Sequence, residues 1–269
     1  MSTKVQRTTR YLLLDQLKLA GWSILTLIGL FIVLPLLVSL LTGNIGHYQF
    51  LRDIANLNPG ALFFLLIFIF GALTYDNFKL FIQNGISRRT YFSARLLSLI
   101  LFSALCVIVG GIYYFAIHAP YMHWSTQQAL LKTGTSLYAY AFGSNVTLNV
   151  ALNLIFNWIF YIGTGLTGMA CGTLLALFGK WAKTILIVGA PILGVIAIWL
   201  LAVVMVRSQS SFSYTGLEAF LKFLVGYPSH GPADAGYFNP IMPLITMLVG
   251  CGVIGTLAYL FNRKLRIRN

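Results

Sequence analysis

Long apolar runs separated by short polar connections dominate the chain, and six of them are long enough to cross a bilayer. A hydrocarbon core about 30 Å thick needs roughly 20 helical residues at about 1.5 Å each. The runs fall at about Trp22 to Leu41, Gly60 to Tyr75 with a continuation to Ile82, Ser93 to Ile117, Leu148 to Phe178, Ile185 to Val206, and Pro240 to Asn262. None shows the strict alternation of a lipid-facing barrel strand, and only helices and closed barrels satisfy the backbone in lipid. The pattern predicts an all-α integral membrane protein, a six-transmembrane-helix bundle forming a single transmembrane domain over residues 1–269.

Ahead of the first run, Leu12, Leu13, Leu14 and Leu17 alternate with Arg7, Arg10, Asp15 and Lys18. Residues 1–21 therefore read as a cytoplasmic, N-terminal interfacial amphipathic helix, or as the polar start of the first span. The first run is of full span length and lacks a small-residue cleavage site, so it reads as a retained helix rather than a signal peptide.

Composition agrees with a membrane location: 58% of residues are hydrophobic and 9% charged, against roughly 25% charged in ordinary soluble domains. The placement of the cations gives orientation. Four lie in the N-terminal arm (Lys4, Arg7, Arg10, Lys18), four between the second and third runs (Lys79, Arg88, Arg89, Arg95), two between the fourth and fifth (Lys180, Lys183) and four in the tail (Arg263, Lys264, Arg266, Arg268), fourteen of the 18 Lys and Arg. The other connections hold only Arg52, Lys132, Arg207 and Lys222. The positive-inside rule places the N and C termini in the cytoplasm of a multi-pass cell-membrane protein. Orientation and anionic membrane lipids account for the net charge of +13 without nucleic acid as a partner.

Chemistry is sparse. The five acidic residues, Asp15, Asp53, Asp76, Glu218 and Asp234, fall in connections or near membrane edges, so no ion-coupling site is visible at mid-bilayer. His47, His118, His123 and His230 fall on the outer side; the close pair His118 and His123 lacks the i, i+4 spacing of a helical metal site, so no metal is expected. Cys106, Cys171 and Cys251 lie one per span and read as buried free thiols. No Gly-x-Ser-x-Gly or His-Glu-x-x-His occurs, and Gly179-Lys180 is followed by Trp181 rather than Ser or Thr. The chain carries no nucleotide-binding motif and no catalytic residues; it does not read as an enzyme.

Between the second and third runs, residues 76–92 form a polar and basic interruption. Asn84-Gly85 suits a left-handed helix end, and Ser87 can cap the helix that follows. The predicted feature is a compact cytoplasmic elbow in which Phe78, Phe81, Ile82 and Ile86 sit beside Arg88 and Arg89. Two readings fit, a docking knob for a partner and an ordinary turn with topology-setting arginines.

The run Asn84-Gly85-Ile86-Ser87-Arg88-Arg89-Thr90-Tyr91-Phe92 resembles the intracellular-loop signature of bacterial ABC type-2 exporter permeases, an Asn-Gly-x-Ser-Arg-x-x-[aromatic] stretch between the second and third helices. The motif covers about nine residues; the layout covers the whole chain. The resemblance implies the permease subunit of an ATP-driven ABC exporter, dimeric with a second copy or a homologous permease. It also implies two copies of a separate ABC ATPase subunit that binds the ATP and Mg, with no cofactor on this chain. On this reading Phe78, Phe81, Asn84, Gly85, Ile86, Ser87, Arg88 and Arg89 couple to the ATPase. The uncharged spans suggest an amphipathic or hydrophobic substrate, such as a peptide, drug or lipid-like molecule. The alternative is an ATP-independent membrane channel or scaffold subunit.

Family members carry re-entrant helices outside, between the last two spans. The 207–239 connection holds an apolar segment around Leu217, Phe220, Leu221, Phe223, Leu224 and Val225 that is too short to cross. A dipping hairpin and an amphipathic helix resting on the outer leaflet both fit. The long connection at 117–147 holds a helix candidate at Ser125 to Lys132 with no family role. In the fourth run, Asn149, Asn153, Asn157, Tyr161 and Gly165 recur every four residues along one face. This stripe reads as helix packing through interhelical hydrogen bonds, or as the wall of a polar pathway. Gly168 and Gly172 form a Gly-x-x-x-Gly pair that suits close approach, within the bundle or across a dimer.

Overall fold

A computed structural model of the protein describes residues 3–57, 59–73, 75–207, 215–227 and 237–265. The described residues form helices and connections, with no strand among them. In chain order the helices are α1 (Thr3–Ile28), α2 (Leu34–Leu41), α3 (Phe50–Asn56), α4 (Pro59–Ala72), α5 (Tyr75–Gln83), α6 (Arg88–Tyr113), α7 (Ala119–Tyr121), α8 (Thr126–Leu131), α9 (Val146–Leu177), α10 (Lys180–Arg207), α11 (Thr215–Val225) and α12 (Ile241–Lys264). Among the described residues five helical stretches are long and apolar enough to span a membrane, or six if the bent pair α4 and α5 counts as one span. The chain is a membrane-embedded, multi-pass helical protein.

Two of the spans contain a π-helical turn, Gly29–Val33 between α1 and α2 and Tyr114–His118 between α6 and α7. Each turn lies just before a proline, Pro35 and Pro120, at the start of the next helical segment. Proline lacks an N–H and crowds the carbonyl four residues back, and the wider turn removes that clash without ending the helix.

The expected boundary between an interfacial helix over 1–21 and a span from Trp22 is not a break. Thr3–Leu41 is one helical run of 39 residues, nearly twice the length a core of about 30 Å requires. Its first half lies against α6. Thr9 Oγ1 donates to the Ala94 carbonyl at 3.3 Å, Ser98 Oγ donates to Gln16 Oε1 at 2.7 Å, and Leu12 is buried.

At the centre α9 packs against α4 on one side and α12 on the other, with α6 completing the core around Ile67, Leu99, Phe102, Leu166 and Met169. A Cβ on Gly168 would strike the Phe68 carbonyl, and one on Gly172 would strike the Ala72 carbonyl. The Gly-x-x-x-Gly pair therefore seats α9 on the last turn of α4, backbone to backbone. By contrast α10 stands off the bundle, with no buried side chain among the described residues of Trp181–Leu200.

Two further clusters mark the ends of the bundle. Leu12, Phe78, Phe81, Tyr91, Ala94, Ala176 and Leu265 meet at one pole, which gathers the N-terminal helix, the elbow, the end of α9 and the end of α12. Tyr138, Leu152, Phe156 and Phe238 meet at the other. There the two long connections join: Phe238 N–H donates to the Leu137 carbonyl at 2.9 Å, Asn239 N–H to the Gly226 carbonyl at 3.0 Å, and the Tyr138 hydroxyl to the Val225 carbonyl at 2.9 Å. The segment with no expected role thus fastens the connection between α10 and α12.

Candidate functional site

The elbow is built from a helix end, a tight turn and a helix start. Gly85 takes φ +73°, and the bonds Gly85 N–H to the Ile82 carbonyl (3.1 Å) and Ile86 N–H to the Phe81 carbonyl (3.0 Å) make a Schellman motif. Asn84 Nδ2 donates to the Leu80 carbonyl at 2.8 Å, and Ser87 Oγ accepts from Thr90 N–H at 3.2 Å as the N-cap of α6. The sequence-predicted turn and cap are both formed.

Its apolar residues do not face outward as a knob requires. Phe78 is 0% and Phe81 8% exposed; both pack edge-on or tilted against Tyr91 within the cluster that holds Leu12 and Leu265. Ile82 and Ile86 pack against the same cluster. Facing four other segments, these side chains gain more from the chain's own core than from solvent, so they hold the elbow down. The outward tip is Gln83, Asn84, Gly85, Ser87, Arg88 and Arg89.

The two arginines differ. Arg88 Nη1 donates to the Arg263 carbonyl at 2.7 Å, in the last turn of α12, and Asn262 Nδ2 returns a bond to the Arg88 carbonyl at 3.4 Å. Arg89 is exposed and has no partner among the described residues. Arg95, counted from sequence as a connection residue, lies inside α6 and is 5% exposed. Its guanidinium donates to the Gly71 carbonyl at the end of α4, next to the 42° bend between α4 and α5. Carbonyls in the last turn of a helix lack intrahelical partners and carry negative partial charge, which is why cations settle there.

The asparagine stripe divides. Asn149, 1% exposed, accepts from Phe142 N–H and donates to the Gly143 carbonyl, each at 3.0 Å, so it fastens the preceding connection. Asn153 donates to the hydroxyls of Thr133 and Thr135, Asn157 donates to the Asn153 carbonyl at 2.8 Å, and the Tyr161 hydroxyl donates to the Gly60 carbonyl at 3.3 Å. Asn153, Asn157 and Tyr161 also line a cavity of about 460 Å³ between α4, α6, α9 and the connection after α8, at the pole opposite the elbow. Packing and cavity wall are both present along one face.

His118 lines the same cavity; its Nδ1 lies 2.6 Å from the Ala55 carbonyl and its ring stacks on Tyr114. Among the described residues no three His, Cys, Asp or Glu side chains converge. Sequence reasoning missed the roles of Arg95 and Asn262. Arg95 carried a signal, since it falls two turns into a helix that Ser87 starts. Of the 207–239 segment, α11 is exposed except at half-buried Leu224 and paired internally by Glu218 and Lys222 at 2.6 Å, while His230 and Asp234 lie outside the described residues.

The chain matches no protein-family model, no curated protein and no solved structure.

Proposed function

We propose that this chain is the membrane-spanning permease subunit of an ATP-driven exporter of the ABC type-2 kind, energised by a separate ATPase subunit. The observation that carries the reading is the elbow: a polar, basic tip mounted on residues packed against the N-terminal helix, α9 and the end of α12. A push on such a tip moves several helices together, as coupling to a partner requires. The Asn84 to Phe92 run supplies the family resemblance, and the concentration of cations at this pole supports a cytoplasmic orientation.

On this reading the ATPase, present in two copies with ATP and Mg, meets the exposed tip rather than Phe78 and Phe81. Arg89 supplies the charge available to an acidic partner surface. A second permease copy or a homologous one completes the pathway, and spans without an acidic residue at mid-bilayer favour an amphipathic or hydrophobic substrate.

The test is to purify the tagged chain from its native host in mild detergent and identify proteins that copurify in near-equal amount. A P-loop ATPase is expected, retained with the unaltered chain and lost with Arg89→Glu while membrane insertion stays intact. Reproducible absence of any ATPase from the folded protein moves the reading to an ATP-independent channel or scaffold.

A further inference from the structure

The cavity at the far pole carries a cation at its rim and no acid on its wall. Lys132, exposed at the end of α8, lines its rim, and the ion pair present among the described residues is elsewhere, between Glu218 and Lys222. None of the lining residues is acidic. Most other polar groups on the wall are already engaged: Asn153 with two threonine hydroxyls, Tyr161 with the Gly60 carbonyl, Tyr113 with the Ile54 and Leu57 carbonyls, and His118 with Ala55. A cation at the mouth of a cavity that carries no acid, with low-dielectric walls behind it, draws in negative charge.

Away from Lys132 the wall turns apolar along α6, through Gly111, Gly110, Val107 and Cys106. Gly110 has room around it; a Cβ there would come no closer than 3.7 Å to Phe63. At about 460 Å³ the space lies within the range of about 300–1,000 Å³ usual for small-molecule sites. A charged rim above an apolar wall is the shape of an amphiphile.

We propose that this cavity binds an amphipathic anion, its phosphate or carboxylate head at Lys132 and its alkyl chain along the Cys106–Gly111 wall. The site lies apart from the elbow, and the proposal does not depend on the exporter reading. A free amphiphile and an anionic membrane lipid present the same chemistry to it.

The test is native mass spectrometry of the full chain, delipidated in mild detergent, with dodecyl phosphate, dodecanoate and, as the opposite charge, dodecyltrimethylammonium. One anionic probe per chain is expected and no cationic one. Binding should fall roughly tenfold in Lys132→Ala, the loss of a charge-assisted contact. It should return in Lys132→Arg and persist in Lys222→Ala, a lysine at the same pole but outside the cavity. Gly110→Leu, which fills the wall, should weaken binding without changing charge. Equal uptake of the cationic probe, or undiminished binding in both Lys132→Ala and Gly110→Leu, overturns the proposal. The protein before delipidation separates the sources. A phospholipid adduct lost in Lys132→Ala assigns the site to a membrane lipid, and probe binding without such an adduct assigns it to a free amphiphile.

Discussion

Arg88 in the elbow donates to the backbone carbonyl of Arg263 at 2.7 Å, so the turn between the second and third spans holds the end of the last helix. The geometry places a guanidinium on an orphan carbonyl at a helix C-terminus, and Asn262 closes the contact from the other side. Arg88→Ala should cost about 0.3–1 kcal/mol, the usual worth of a cation at an exposed helix end. Hydrogen exchange should quicken at 263–265, while Arg89→Ala leaves these amides unchanged. Equal exchange in the two variants would show that the contact carries no stability.

Gly172 and Ala72 form the tightest seam between α9 and α4. A Cβ on Gly172 has backbone in its way rather than a flexible side chain, so α4 must move. Gly172→Ala should destabilise the protein by about 1–3 kcal/mol, as overpacking does. Gly252→Ala, with nothing within 4 Å, should be neutral. Thermal unfolding in detergent compares the two, and similar midpoints would remove the seam from the account of how the bundle holds together.

The spans were legible because apolar run length is a strong signal in lipid. Val146–Leu177 and Ile241–Lys264 fall within a few residues of the expected fourth and sixth runs. Asn84-Gly85 and Ser87 were legible for the same local reason, since each acts through its own backbone. What burial decides was not legible. Phe78 and Phe81 look alike in sequence whether they face a partner or their own core, and Leu12 and Leu265, which cover them, lie far away along the chain. The continuity of Thr3–Leu41 escaped because a polar amphipathic start reads the same lying on a membrane or leaning on α6. Lys132 gained meaning only once a cavity formed beside it.

Asn149 and Asn157 give the same stripe two different sensitivities. Asn149 is fully enclosed and answers a backbone N–H and a carbonyl at once, so Asn149→Ala leaves both unpaired. A loss of about 1–3 kcal/mol is expected for buried groups left without partners. Asn157→Ala, at the cavity wall, loses only its bond to Asn153 one turn back on the same helix and should cost about 0.2–0.5 kcal/mol, the usual worth of an i, i+4 side-chain pair. Unfolding in detergent that ranks the two variants the other way would break this division of the stripe.

Tyr138 should make the far pole sensitive to alkali. Its ring stacks on Phe156 at 4.9 Å and its hydroxyl donates to the Val225 carbonyl at 2.9 Å, a bond only the neutral phenol can make. Burial pushes this phenol above its ordinary pKa of 10.0. Because the folded-state value lies above the unfolded one, the contribution is intact below pH 10 and is lost as pH rises through the raised value. Tyr138→Phe keeps the stacking and removes the donor, with an expected loss of about 0.5–1.5 kcal/mol at neutral pH. Unfolding midpoints of the two proteins should differ near neutrality and the gap should close as pH rises through the raised value, where the bond is lost. A gap that stays constant across that range would show that the hydroxyl does not hold the α11 end of the connection to the rest of the pole.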